Sequence, residues 1–120
     1  MKRILVLAFS ILFAVVSYAQ VVVKLEDVGK HVGDSVKVCG KVYGVKYLQQ
    51  AKNSPTFLNI GAAYPSQLLT VVIWEETRKK FEKAPEELFA DKSICITGRV
   101  ELFKEKPQIV ITSVAQLVAD

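Results

Sequence analysis

One histidine, two cysteines and several paired carboxylates are the residues of this chain with most capacity for chemistry. His31 lies in a turn-forming segment between Gly29 and Gly33, where a solvated or capping role is expected. A zinc site needs about four ligands of the His, Cys or carboxylate type, and Cys39 and Cys95 with one distant histidine do not supply them. No nucleophile-elbow, zincin or phosphate-loop motif occurs. The sequence therefore predicts a protein that is not an enzyme and that needs no metal or cofactor.

Lysines and aromatic residues suggest a second chemistry, the binding of single-stranded nucleic acid. Such ligands need cations for their phosphates and exposed rings for their bases, and each stacked base contributes about 1–3 kcal/mol. The candidate contact residues lie on two predicted loops and one predicted strand: Lys46, Tyr47, Lys52, Thr70, Trp74, Lys104 and Lys106. Tyr43 and Tyr64 are further candidate rings, although tyrosines in small domains often cover the core. Asn59 is expected to satisfy backbone groups near Gly61, and the paired acids of 75–91 are expected to face solvent.

The N-terminus has the pattern of an export signal. Lys2 and Arg3 precede an uncharged run at 4–16, and small residues, Ser17 and Ala19, occupy the positions that a signal peptidase inspects. Such a run is too short to cross about 30 Å of hydrocarbon. We therefore expect a signal peptide at 1–19 and a single domain at 20–120. The mature protein is expected to be periplasmic or secreted and not membrane-spanning.

Charge and composition narrow the function classes. The chain of 120 residues is 51% hydrophobic and 23% charged, which is typical of a globular protein. Its 16 basic and 12 acidic residues become 14 and 12 when Lys2 and Arg3 leave with the signal, a net charge of +2. This balance excludes the strong basic excess of a protein dedicated to nucleic acid.

Period-two alternation of apolar residues predicts an all-β fold. The predicted strands are 35–43, 56–61, 68–74, 92–101 and 108–112. One helical segment, 75–91, lies between the third and fourth strands, and Pro85 is expected to split it or to end its first helical piece. This order matches a five-stranded Greek-key barrel of the OB-fold type. The first and fourth strands carry Gly40 and Gly98 where a coiled barrel strand must bend or admit a neighbour closely.

Several of these runs also resemble a known family. The segments 36–42, 56–61, 69–73, 96–100 and 106–111 are similar to bacterial OB-fold domains of the nucleic-acid-binding type. Domains of this kind are found alone in exported proteins or beside thermonuclease-like domains. The resemblance covers roughly 32–117 and implies a ligand surface on the second and third strands, flanked by the first-to-second and fourth-to-fifth loops. The chain departs from a nuclease, because it has no arginine-and-carboxylate active-site segment.

The resemblance leaves three functions open. The first is an exported module that binds single-stranded nucleic acid or oligonucleotides. The second is an envelope module that binds a protein or an oligosaccharide, and the third is a structural adaptor. The same fold hosts all of these functions, so fold analogy alone does not separate them.

The alternation also predicts a disulfide between Cys39 and Cys95. Both cysteines point away from the inward-facing residues of two strands that are antiparallel neighbours in an OB-fold. Pairing them places Val38 across from Ile96, so the core register agrees. Two cysteines in an exported chain suit an oxidising compartment.

The third strand has two distinct faces. Leu69, Val71 and Ile73 share the more consistently aliphatic face and are expected to point into the core. Thr70, Val72 and Trp74 share the other face, so the ligand is expected to contact Thr70 and Trp74.

Overall fold

The alternating valines and isoleucines of the sequence form a predominantly β structure. The computed structural model describes residues 21–120, so the predicted signal peptide at 1–19 lies outside the described residues. Eight strands are present, and their bounds are β1 Val21–Val23, β2 Ser35–Tyr47, β3 Thr56–Ile60, β4 Leu69–Ile73, β5 Ser93–Arg99, β6 Glu101–Phe103, β7 Lys106–Ile111 and β8 Leu117–Ala119. Two α-helices, α1 Glu75–Arg78 and α2 Pro85–Phe89, and two 3-10 helices, Leu25–His31 and Val114–Gln116, complete the secondary structure of this part of the chain.

The expected count of five strands is wrong. The five predicted strands correspond to β2, β3, β4, β5 and β7, and three further strands join them. Each added strand, β1, β6 and β8, has only three residues, which is too short for alternation to distinguish a strand from a turn. β6 continues β5 after the single residue Val100.

The helical segment expected at 75–91 is two short helices, and the expected break at Pro85 is present. α1 ends at Arg78, and α2 begins with Pro85 as its first helical residue. Proline suits this position because its missing N–H has no partner in the first turn of a helix.

The strands pair in the order β6-β7-β4-β3-β2-β5-β8, and β1 pairs with β2. β1–β2 and β4–β7 are parallel pairs, and the other pairs are antiparallel. The expected barrel is not closed by hydrogen bonds, because in residues 21–120 no ladder joins β6 to β8 at the two ends of this path. β5 pairs with β2 and β8, and after the single residue Val100 the chain continues as β6, which pairs with β7.

Glycines allow the closest approaches between the curved strands. A Cβ atom on Gly98 of β5 would lie 2.6 Å from Cγ2 of Ile109 on β7, and one on Gly40 of β2 would lie 2.8 Å from Cγ2 of Ile60 on β3. Carbon atoms in a packed interior do not approach so closely, so a larger residue at either position would displace its neighbour. The expectation that Gly40 and Gly98 allow a neighbour to approach closely is confirmed.

The core lies inside the curved sheet. Leu69, Val71 and Ile73 of β4 are fully buried, as their face of the strand predicts. The same holds for Val36, Val38 and Val42 on β2 and for Ile94 and Ile96 on β5, while Phe81 and Phe89 from the helical segment pack edge to face with their ring centres 5.8 Å apart. In residues 21–120 the structure contains no helix long and apolar enough to cross a membrane.

The predicted disulfide is present. Cys39 and Cys95 are direct partners in the antiparallel β2–β5 ladder, with their Cα atoms 4.0 Å apart, and their sulfur atoms are bonded. Val38 pairs with Ile96 in the same ladder, so the register is the predicted one.

Candidate nucleic-acid interface

The outer face of β2, β3, β4 and β7 carries the residues best placed to meet a ligand. On β3 the buried Leu58 and Ile60 point inward, so Phe57 and Asn59 point outward. The same alternation turns Thr70 and Val72 of β4, and Gln108 and Val110 of β7, to this face. We call this surface the outer face.

Strand register arranges the outer face in two rows that cross the strands. In the first row Lys46 pairs with Phe57, Phe57 with Val72, and Val72 with Val110. The second row contains Gly44, Asn59, Thr70 and Gln108, which pair in the same way. The first row therefore offers one cation and apolar surface, and the second offers hydrogen-bonding groups, so we call it the polar row.

Phe57 is the aromatic side chain at the centre of the first row, and it is not one of the rings that the sequence predicts to stack. It is half-buried and lies between exposed Lys46 on β2 and Val72 on β4. The sequence does contain the signal, because the inward alternation of Thr56, Leu58 and Ile60 turns Phe57 outward. The prediction omits this ring because phenylalanine in a strand is usually assigned to the core.

Asn59 and Val72 are more buried than their positions on the outer face suggest. Val72 is expected to be exposed beside Thr70 and Trp74, but it is only 2% exposed because Phe57 and Val110 flank it on the neighbouring strands. Asn59, which is expected to act on the backbone near Gly61, is 9% exposed. A Cβ atom on Gly44 would lie 3.7 Å from the Nδ2 atom of Asn59, so this amide lies against backbone that carries no side chain.

A β-bulge gives β2 its extra length and re-aims Tyr43. The ladder between β2 and β3 shifts register between Val42 and Gly44, and β2 then continues to Tyr47, four residues beyond its expected end at Tyr43. A bulge inserts one unpaired residue and bends the strand. Tyr43, the inserted residue, is 47% exposed, and the ammonium of Lys41 lies 5.1 Å from its ring centre.

The predicted cations lie at different corners of the outer face. Lys46 lies on it directly, and exposed Lys52 lies in the loop 48–55. A backbone bond from Leu48 N–H to the Pro55 carbonyl closes that loop, and one from Glu75 N–H to the Asn53 carbonyl ties it to α1. At the opposite corner, Lys106 lies two residues before Gln108 on β7.

Lys106 and Lys104 differ in how freely they are available. The ammonium of Lys106 donates to the carbonyl of Pro65 at 2.9 Å and lies 5.9 Å from the ring centre of Tyr64, so it ties the loop 61–68 to β7. Lys104 lies in the two-residue turn between β6 and β7, with its ammonium 5.5 Å from the ring centre of Phe103. Lys104 is thus exposed at the tip of a hairpin, while Lys106 is already partnered.

Thr70 and Trp74 lie near opposite ends of β4. Thr70 is half-buried, and its hydroxyl accepts a hydrogen bond from the Nε2 atom of Gln67 at 3.2 Å. Trp74 follows the last residue of β4, precedes α1, and is 39% exposed. The structure therefore places Thr70 in the polar row and Trp74 at the rim, beside the helical segment.

Tyr47 belongs to a cluster that joins the sheet to the two helices. Its hydroxyl donates to Glu75 at 2.8 Å, and the guanidinium of Arg78 lies 3.5 Å from its ring centre. Arg78 also donates to Glu86 at 2.9 and 2.6 Å and to the hydroxyl of buried Thr56 at 2.9 Å. One ring face and the hydroxyl of Tyr47 are therefore engaged within the protein, and two acids expected to face solvent hold the helices in place.

Hydrogen bonds within this cluster shift the pKa values of Glu86 and Tyr47. The hydrogen bond from Arg78 lowers the pKa of Glu86 below its ordinary value, although partial burial opposes the shift. The hydrogen bond to the Glu75 carboxylate raises the pKa of Tyr47. Both carboxylates therefore act as structural acceptors.

Groups that could serve acid–base or metal chemistry are also engaged locally. His31 lies 3.3 Å from the carboxylate of Asp34 on the surface, as expected for a turn residue. Cys39, Cys95 and Asp120 place their ligand-type atoms within 4.8 Å of one another. Both sulfurs are bonded to each other, however, which leaves a single exposed carboxylate there.

Comparisons with known proteins support the OB-fold. No protein-family model matches the sequence, and no curated protein matches it significantly. A crystal structure of yeast Stn1 and Ten1 superposes with a TM-score of 0.59 at 14% identity, over 86% of this chain and 64% of that one. At this identity the likeness shows the fold alone.

Two further structures are more distant. The S. pombe Stn1-Ten1 complex gives a TM-score of 0.48 at 11% identity, over 72% of this chain and 57% of that one. A putative aspartyl-tRNA synthetase from Leishmania major gives 0.49 at 7% identity, over 90% and 22%. This chain spans less than two thirds of each of the three matched chains.

Proposed function

We propose that residues 21–120 form an OB-fold module that binds single-stranded nucleic acid on its outer face. The observation that carries the proposal is the cross-strand position of Phe57 directly beside Lys46, on the face that OB-folds use for oligonucleotides and oligosaccharides. A ring supplies stacking to any base, and a neighbouring ammonium supplies a phosphate contact.

The distribution of charge around the outer face supports a polyanionic ligand. Lys46 and Lys106 lie on its first and last strands, three strand spacings or about 14 Å apart across the sheet, and Lys106 is also four residues, or about 13 Å, along β7 from Val110, which shares the row of Lys46. Lys52 and Lys104 extend the cations into the flanking loops. Lys46, Lys52 and Lys104 serve as phosphate contacts, and Lys106 does so by exchanging the Pro65 carbonyl for a phosphate oxygen.

The module acts by binding rather than by catalysis, in the periplasm or outside the cell. The surface pair of His31 and Asp34, the bonded cysteines and the Arg78–Glu86 pair leave these groups in structural roles. Export is supported by the N-terminal signal pattern and by the disulfide, since such bonds persist in oxidising compartments.

A second candidate function is an envelope module that binds a protein or an oligosaccharide, or that acts as a structural adaptor. It is favoured by apolar exposure near β6 and the loop 61–68, where Tyr64 is 75%, Phe103 58% and Leu102 52% exposed. Large exposed apolar side chains are a feature of interaction surfaces when they form a contiguous patch. The affinity for such a protein or oligosaccharide would depend little on salt concentration.

Fluorescence polarisation with labelled ten-nucleotide single strands, at about 50 and 200 mM salt, tests the two candidates. The nucleic-acid proposal predicts binding at low salt that weakens at high salt. Replacing Lys46 and Lys104 by alanine is expected to reduce the salt slope by about one unit per lost phosphate contact. Phe57→Leu should weaken binding and leave that slope unchanged, because stacking releases no counterions.

Trp74→Leu makes the same aromatic-to-leucine change at the rim, and it is expected to weaken binding less than Phe57→Leu does. Thermal unfolding of each variant separates lost binding from lost folding. Absence of binding at low salt by the folded wild-type protein would overturn the nucleic-acid proposal. Salt-independent binding to an envelope protein or a saccharide would support the second candidate.

A further inference from the structure

The polar row supplies hydrogen-bonding groups beside the stacking ring, where they could contact the edges of bases. Asn59, Thr70 and Gln108 are direct neighbours on three adjacent strands, and such strands are about 4.8 Å apart. Phe57 lies two residues before Asn59 on the same face of β3, a distance of about 7 Å. A base stacked on Phe57 therefore has one edge beside the polar row.

Thr70 lies at the centre of the row, and a neighbouring side chain engages one lone pair of its hydroxyl oxygen. The Nε2 atom of Gln67 donates to the Thr70 hydroxyl at 3.2 Å, so this oxygen already acts as an acceptor inside the protein. A hydroxyl has a single O–H donor, which Thr70 keeps available for an outside acceptor. The Oε1 atom of Gln67 is buried and has no hydrogen-bond partner among the described residues. The unpaired Oε1 atom of Gln67 destabilises the folded protein, while the Nε2 atom of the same side chain orients Thr70.

Gln108 completes the row with a group of a different kind. Its half-buried side chain carries an amide, which offers both donors and an acceptor. Phosphate contacts carry no sequence information, whereas hydrogen bonds to base edges do. A row with a hydroxyl donor and an amide at fixed spacing is therefore suited to distinguishing bases.

We infer that Thr70 and Gln108 read the edges of bases held at the outer face, so that the protein discriminates among bases. This inference rests on the proposed function. Gln67 is a positioning residue in this scheme, because it acts through Thr70. The lysines at the corners of the outer face contact phosphates, so they bind every base sequence equally.

The test compares ten-nucleotide homopolymers of deoxyadenosine, deoxycytidine and thymidine by fluorescence polarisation at one low salt concentration. Each hydrogen bond to a base edge is expected to separate the best from the worst base by about two- to tenfold. The wild-type protein should therefore show a spread of at least about fivefold. The double variant Thr70→Val/Gln108→Met, which keeps side-chain size, should reduce the spread to less than about twofold.

Lys52→Ala is the matched control, because it removes a loop cation outside the row. It should weaken binding to all three homopolymers by a common factor and leave the spread unchanged. Gln67→Met is expected to narrow the spread and to keep most of the overall affinity. Thermal unfolding confirms that each variant is folded.

Three outcomes contradict the inference, and they differ in what else they affect. Wild-type binding to all three homopolymers with a spread below about twofold overturns base reading and leaves the proposed function intact. An unchanged spread in the double variant overturns the assignment to Thr70 and Gln108. Absence of binding to all three homopolymers overturns the proposed function together with the inference.

Discussion

Replacing Arg78 by methionine is expected to destabilise the protein by about 2–3 kcal/mol. The guanidinium joins α1 and α2 to the end of the sheet through its bonds to Glu86 and Thr56. Methionine keeps the apolar stem of the side chain, so the substitution removes mainly these polar contacts.

The magnitude follows from the exposure of the two partners. The Glu86 side chain is 35% exposed, so solvent screens its ion pair with Arg78, and the pair contributes up to about 1 kcal/mol. Thr56 is fully buried, and loss of the donor to its hydroxyl costs about 1–3 kcal/mol. The buried hydroxyl is therefore expected to dominate the loss of stability.

Urea unfolding at pH 7 of the wild type, Arg78→Met, Thr56→Val and the double variant measures these terms. Valine removes the buried hydroxyl but keeps the shape of the threonine side chain. In the Thr56→Val background, Arg78→Met should cost only about 1–2 kcal/mol, because only the ion pair with Glu86 and the contact with the Tyr47 ring are lost. Equal costs of Arg78→Met in both backgrounds, or a cost below about 0.5 kcal/mol in the wild type, would refute the reasoning.

Three further predictions concern stability. Because Arg78 lowers the pKa of Glu86, the Arg78–Glu86 pair should stabilise the folded protein fully above the ordinary glutamate pKa of about 4.3. This stabilisation should be lost as the pH falls through the lowered pKa of Glu86. The stability difference between wild type and Glu86→Gln should accordingly shrink in acid, and a constant difference from pH 7 to 2 would contradict this. Reducing the Cys39–Cys95 bond, which spans 56 positions, should lower the free energy of unfolding by up to about 4 kcal/mol in urea titrations; free thiols in the folded oxidised protein would contradict the pairing. Gly98→Ala should cost about 1–3 kcal/mol by overpacking against Ile109, whereas Gly44→Ala, with 3.7 Å to its nearest neighbour, should cost less; equal unfolding midpoints would contradict the close approach.

Sequence reasoning succeeds where a pattern repeats along a strand. The alternation around Cys39 and Cys95 predicts their faces, and the identity of the buried partners Val38 and Ile96 sets the register. Gly98 is predictable as a close approach because a glycine inside a strand typically marks a bulge, a bend or a tightly packed neighbour.

The cluster of Arg78 with Tyr47, Thr56, Glu75 and Glu86 is not predictable from the sequence. These positions come from distant parts of the sequence and belong to no motif. Tyr47 lies at the end of β2 beyond the bulge and Glu86 in the helix that begins at Pro85, and both contact Arg78. The three-residue strands escape prediction because their pairing depends on neighbours already in place. Phe57, by contrast, can be found by extending the alternation of Leu58 and Ile60 by one residue.

Chemical-shift mapping tests the location of the ligand most directly. Uniformly ¹⁵N-labelled protein would be titrated with a ten-nucleotide single strand at low salt. We predict that the backbone amides that shift most cluster at Lys46, Phe57, Thr70 and Gln108. The amides around the Cys39–Cys95 bond should stay unchanged. Unchanged spectra at a large excess of oligonucleotide, or shifts confined to the β2–β5 ladder beside the disulfide, would contradict binding at the outer face.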